Sequence, residues 1–211
     1  MKYINYMTTL LATTLTASSL NAELIIEDFE SYIDTSSLQA DVFSFGSAAQ
    51  AGKPTLALGL GKDDSNAACF NLTWETGNNA NLSFINLSPN TQNLSGYSEI
   101  RAYIYLENYP GNSGSKSDSA TGQSTTIAKL AIEGNDGTIW QTRSGKADRP
   151  PADSSHELRF LLSATDMERV EGSSPFDTVV SNVKNIRIRF ENLRRSGFRQ
   201  DAYIDSIIAI Q

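Results

Sequence analysis

The sequence predicts an all-β protein built as a two-sheet antiparallel β-sandwich. Period-two alternation of apolar residues dominates from Leu24 to Ile210, as in Ile100-Arg101-Ala102-Tyr103-Ile104-Tyr105-Leu106, and alternation marks a half-buried strand. Helical periodicity is almost absent, and clusters such as Gly77-Asn78-Asn79 and Arg194-Arg195-Ser196-Gly197 punctuate the alternating runs. About eleven strands in one domain must pack as two sheets or close a barrel, because one open sheet would leave an apolar face in water.

Taken in order, strands are expected at 24–29, 40–44, 55–58, 67–74, 81–85, 99–106, 127–133, 138–142, 156–162, 183–190 and 202–210. One short helical turn is expected at Ser163–Glu168, where Thr165 and Glu168 have capping-box spacing. Residues 111–126 and 144–155 lack apolar residues to bury and are expected as mobile surface loops.

Residues 1–22 carry Lys2, the apolar stretch Leu10-Leu11-Ala12, no acid, and a small residue, Ala22, before Glu23. They are expected to be a secretory signal peptide cut after Ala22 or Ser19, the alternatives being a first strand or a disordered leader. Residues 23–211 then form a single domain, expected to be secreted, periplasmic or displayed at the cell surface. No other run approaches the about 20 apolar residues of a membrane span. The chain has 17 basic and 24 acidic residues, a net charge of −7, which becomes −8 once Lys2 is removed with the leader. Such a balance repels phosphate backbones, so nucleic acid is excluded as a partner. Cys69 is the single cysteine and allows no intrachain disulfide; it is expected as a small buried side chain rather than a reactive thiol.

Acids stand inside apolar strands at both ends, in Ile25-Ile26-Glu27-Asp28-Phe29-Glu30-Ser31 and in Ala202-Tyr203-Ile204-Asp205-Ser206-Ile207. An ionised carboxylate near a sandwich core must be paired, hydrogen-bonded or bound to a metal, so the two ends are expected to meet. Together with Glu157-Leu158-Arg159-Phe160, the strand Val183–Phe190 and the Ser196-Gly197 turn, these segments resemble in their order the family 11 carbohydrate-binding modules and their galactose-binding-like relatives. The resemblance implies a jelly roll that binds a polysaccharide or other glycan on a concave sheet face. It also implies a structural calcium held by Glu30 and Asp205, with Asp28 close by. Two carboxylates and loop carbonyls suit a hard cation; the alternative is that Asp205 caps a turn without metal. One His and one Cys cannot build a zinc site.

Alternation places Ile100, Ala102, Ile104 and Leu106 in the core and Arg101, Tyr103 and Tyr105 on the opposite face. Likewise Ile186, Ile188 and Phe190 point inward and Arg187, Arg189 and Glu191 outward. If these two strands are neighbours, their outer residues form one surface suited to ring stacking and to bidentate hydroxyl contacts. Otherwise they are a solvated face whose cross-strand pairs stabilise the sheet. Trp74 shares the parity of Phe70 and Leu72, which fits a core residue, and resembles the aromatic at the cleft edge of family 11 modules. Trp140 is a candidate platform at the opposite rim. The Arg-rich strand departs from the more neutral one of the family and brings acidic polysaccharides into consideration.

A catalytic set is not found. The single His156 stands at a strand start beside a Ser-rich loop, and acids such as Asp153, Asp166 and Glu168 have no glycosidase spacing, so the protein is not expected to be an enzyme. Four Asn-Leu-Ser/Thr sequons start at Asn71, Asn81, Asn86 and Asn93; they accept glycans only in a eukaryotic secretory route. Two functional readings remain: a secreted glycan-binding module, and a structural or adhesive cell-surface sandwich without a sugar site.

Overall fold

The computed structural model describes residues 23–45, 53–74, 79–84, 92–108, 126–192 and 198–211. The leader and the segment 109–125 lie outside these residues. One sheet, A, holds β1 (Glu23–Glu27), β3 (Thr55–Ala57), β4 (Ala67–Trp74), β6 (Glu99–Asn108), β9 (Ser155–Leu161) and β12 (Phe198–Ile210). Its order is β3-β4-β12-β6-β9, with β1 running along β12. The other, B, holds β2 (Val42–Phe45), β5 (Asn79–Phe84), β7 (Thr126–Gly134), β8 (Ile139–Thr142), β10 (Met167–Glu171) and β11 (Val183–Asn192). Its order is β10-β8-β7-β11-β5-β2. All named pairs are antiparallel.

The inner faces of the sheets make the core. Ile100, Ala102, Ile104 and Leu106 of β6 are fully buried, as are Ile186, Ile188 and Phe190 of β11, so alternation assigned both strands correctly. The two ends of the chain meet, since Glu23–Glu27 pairs with Ile207–Ile210. In β12 the residues Ala202, Ile204, Ile207 and Ala209 all face the core, which a regular strand cannot achieve with both 204 and 207. A register shift between Asp205 and Ile208 supplies the extra residue, and Ser206 takes φ 51° to accommodate it.

Three local expectations change. The strand expected from residue 40 begins only at Val42, because helix α1 (Thr35–Asp41) precedes it. Asp34 caps α1 by accepting from Ser37 N at 2.7 Å, and Ser37 Oγ reciprocates at Asp34 N; a serine in place of the usual Glu hides this capping box. The helical turn at 163–168 is only a turn: Ser163 accepts from Asp166 N, and the chain then enters β10 because Met167 is buried opposite Thr142. A second helix, α2 (Phe176–Val180), buries Phe176, Val179 and Val180. Segment 144–155 is not a free loop. Asp148 exchanges backbone hydrogen bonds with Ala128 of sheet B, and Asp153 N donates to Leu106 O of sheet A, so the segment ties the two sheets together.

Candidate functional site

The strand β11 lies between β7 and β5 in sheet B, whereas β6 lies between β12 and β9 in sheet A. The two are not neighbours. Arg101, Tyr103 and Tyr105 therefore face outward from one sheet and Arg187 and Arg189 from the other, and the single surface expected of all five is not formed.

The outer face of sheet B is the more unusual. Its middle strand β7 is buried on both faces, so the outward Lys129 is only 5% exposed. A charged side chain this covered must be paired, because desolvation of a lone ammonium is costly. Lys129 Nζ donates to Glu191 at 3.1 and 3.2 Å and to Ser144 Oγ at 3.2 Å. Two registers away Arg187 pairs with Glu133, which also accepts from Asn185 Nδ2 at 3.2 Å. Between them Arg189 Nη1 donates to the buried Gln141 at 3.2 Å. Arg189 Nε stands 3.0 Å from Glu191 without hydrogen-bond alignment, and it and Asn185 Oδ1 are buried with no hydrogen-bond partner among the described residues. The arrangement is a recessed row of amide, guanidinium, ammonium and carboxylate groups. Each is fixed by its neighbours, and some donor and acceptor capacity is left over. Sequence alternation found Arg187 and Arg189; Lys129, Glu133 and Gln141 were missed because β7 is apolar in composition and its neighbours are set by long-range pairing.

On sheet A, Tyr103 Oη donates to Ser155 Oγ at 2.8 Å, and Tyr105 packs against Tyr203 with ring centroids 6.1 Å apart. Arg101 is forked onto Glu99 at 3.1 and 3.2 Å, which raises its already high pKa. Trp74 ends β4 opposite Phe198, and its side chain lies outside the described residues. Trp140 does not form a rim platform. It points to the core side of β8, meets Phe176 edge-on at 5.4 Å, and donates Nε1–H to Ser174 O.

The terminal carboxylates converge on one turn, residues 61–66. Asp205 is fully buried; its Oδ2 accepts from Lys62 N at 2.9 Å and Ser65 Oγ at 2.5 Å. Glu30 Oε1 accepts from Asn66 N at 2.5 Å. Asp28 instead makes a local turn, accepting from Glu30 N at 3.1 Å. A Cβ placed on Gly61 would lie 2.6 Å from Asn66 O, 2.6 Å from Ser65 Oγ and 2.7 Å from Asp205 Oδ2, so three oxygens face one small space. Ser65 Oγ is also in close contact with Lys62 O, yet its one proton cannot serve both that carbonyl and Asp205. Oxygens crowded with too few protons fit a hard cation. Among the described residues no three His, Cys, Asp or Glu side chains cluster, so such a cation would complete its shell with carbonyl and hydroxyl oxygens.

His156 Nε2 is 3.0 Å from Asp148 Oδ1, and Asp148 Oδ2 accepts from Arg159 N at 3.0 Å. This pair holds segment 144–155 to β9.

The fold is that of known sugar-binding modules. The chain is similar to the family 11 carbohydrate-binding module from Clostridium thermocellum solved with a beta-1,3-1,4-mixed-linked tetrasaccharide. The TM-score is 0.55 and the identity 16%, over 92% of this chain and 97% of that one. It is similar too to the family 11 module of the cellulosomal cellulase Lic26A-Cel5E of the same organism, with TM-score 0.52 and 15% identity, over 90% of this chain and 94% of that one. The agarase AgWH50C contains a similar fold, with TM-score 0.51 and 8% identity, over 90% of this chain and 24% of the agarase. No protein-family model matches the sequence, and no curated protein matches it significantly.

Proposed function

We propose that this protein is a secreted, non-catalytic glycan-binding module that holds a poly- or oligosaccharide along the recessed outer face of sheet B, with a structural calcium ion in the 61–66 turn. The observation that carries the reading is the row Gln141, Arg189, Lys129 and Glu191, with Arg187 and Glu133 beside it. Side chains that fix one another in place lose little entropy on binding, and the part-exposed Arg187, Arg189 and Glu191 can offer donors and acceptors to sugar hydroxyls. The sandwich fold supports the class but does not decide catalysis, since the agarase chain holds a similar sandwich as part of its length. The non-catalytic reading rests on the sequence, in which the single His156 and the scattered acids Asp153, Asp166 and Glu168 make no recognisable catalytic set.

A glycan array on residues 23–211, with calcium and with chelator, tests the proposal. Mixed-linked β-glucan is the first probe, because the similar C. thermocellum module was solved with such a tetrasaccharide. Acidic polysaccharides are the second, because of the arginines. Expected is binding that Arg189→Ala or Arg187→Ala weakens about tenfold or more, a loss of about 1.4 kcal/mol. Binding unaffected by both substitutions would remove sheet B as the site. No binding to any glycan by a folded protein would leave the structural or adhesive reading.

A further inference from the structure

A cavity of about 190 Å³ opens on the outer face of sheet A, on the side of the sandwich away from the row just described. Its lining includes Ser206 and Ile208, which belong to the irregular stretch of β12. Tyr103 pairs with Asp205 and Arg101 with Ile208, so Ala102 alone faces both Ser206 and Ile207. Two residues opposite one bend the strand and open the ladder. Ser206 sits at φ 51°, a region a serine rarely adopts, and residues held in such conformations gather at ligand sites.

The walls have a defined chemistry: Lys62, Arg101, Tyr103, Ser155, Glu157 and Ser206 line the cavity. The hydrogen bond from Tyr103 to Ser155 fixes the phenol ring as one wall. Glu99 engages Arg101 Nε and Nη2, which orients the guanidinium and leaves Nη1 3.7 Å from Glu157, too far for a hydrogen bond. Glu157 is itself held by Arg159 at 2.7 and 2.9 Å. The Lys62 ammonium makes no ion pair among the described residues, while its backbone N–H is anchored on Asp205. Ala102, His156 and Ile208 complete the lining, which thus carries a guanidinium, an ammonium with no ion pair among the described residues, a phenol ring and two serine hydroxyls. A small ligand with one carboxylate and a hydroxylated ring having an apolar face would satisfy all of them. Glu99 and Glu157 nearby disfavour a dianion such as phosphate.

We propose that this cavity binds a single sugar-acid residue, a hexuronate. Its carboxylate would meet Lys62 and Arg101, and its ring would lie against Tyr103. The ligand could be the free sugar or the end of a polyuronide chain. The site is separate from the sheet B row, and either can fail without the other.

The test is an NMR titration of residues 23–211 in calcium buffer with glucuronate, galacturonate, trigalacturonate and, as the neutral control, glucose. Expected are saturable amide shifts at 101–103, 155–157 and 206–208 with the uronates and none with glucose. Lys62→Gln, on an exposed turn, should weaken uronate binding about tenfold with unchanged melting, Tyr103→Ala should weaken it by a similar factor in a protein that still folds, and added salt should weaken it further. Equal binding of free sugar and trimer assigns the free sugar as sufficient, and tighter binding of the trimer assigns a chain end; both uphold a uronate site. Absent shifts, equal shifts with glucose, or shifts confined to β11 would overturn it.

Discussion

Ser65 Oγ stands 2.5 Å from Asp205 Oδ2, across 140 residues of sequence, and this contact joins the closing strand to the turn that Glu30 grips from the opening strand. Asp205 is fully buried and accepts from Lys62 N, Ser65 Oγ and Ser206 N. Asp205→Asn would keep the shape while removing the charge and turning one acceptor into a donor. The expected loss is about 1–3 kcal/mol, together with loss of any stabilisation by calcium. Thermal melts with calcium and with chelator check it: the wild type should melt higher with calcium, and the variant at one temperature in both. A wild-type melting point indifferent to calcium would show that the turn closes on hydrogen bonds alone.

Gly172 provides a second packing test. It has φ +76°, and a Cβ there would fall inside the Thr138 side chain, 2.6 Å from its Cα. Thr138 Oγ1 accepts from Ser173 N and Ser174 N at 3.2 Å, so pushing it away also disturbs the approach to α2. Gly172→Ala should lower stability by about 1–3 kcal/mol and leave the glycan binding proposed for sheet B unchanged. Denaturant unfolding that matches the wild type would show that the turn can move aside freely.

The interior of the fold was legible in the sequence because alternation is a local signal: Ile100 to Leu106 and Ile186 to Phe190 needed no partner to reveal which side is buried. Sheet neighbours are not local. Nothing in Tyr103 or Arg187 announces that β12 separates β6 from the next strand of sheet A, or that β7 and β5 flank β11 in sheet B. The joint surface therefore dissolved while the individual faces stood. The turn that gathers the terminal carboxylates was half legible. Glu30 and Asp205 stood out as acids in apolar strands, whereas Gly61, Ser65 and Asn66 belong to a turn whose meaning appears only when the chain ends come together.

Cys69 lies on the outer face of β4, partly buried, and burial pushes its thiol up to about 11. Since the thiolate is the reacting form, little is available near neutrality. A disulfide reagent at about pH 8 should modify the native protein far more slowly than the protein unfolded in denaturant, by about a hundredfold or more. Equal rates would mean that Cys69 is exposed in solution.

Glu27 gives the fold a distinctive response to pH. Burial raises its carboxyl above the ordinary value of 4.5, although Phe29 N donates to it at 2.8 Å and Tyr32 Oη at 3.0 Å. Between the unfolded and the raised folded value the native state binds more protons than the unfolded chain, so stability falls as pH rises through that window. Asp136 and Asp166 act oppositely. Ser174 and Ser163 respectively are the foremost donors that hold them below 3.8, so their contributions are present above that value and fade as pH falls through the folded one. Together these three groups favour mildly acidic solution over both strongly acidic and neutral solution. Glu27→Gln preserves the contacts, with the amide oxygen accepting from Phe29 N and the amide N–H donating to Tyr32 Oη, and it removes the titration. Urea unfolding between about pH 4 and pH 8 should show the variant gaining on the wild type as pH rises. Parallel curves would mean that Glu27 is ionised at no cost in the native protein, and that Tyr32 and the Phe29 backbone fully offset its burial.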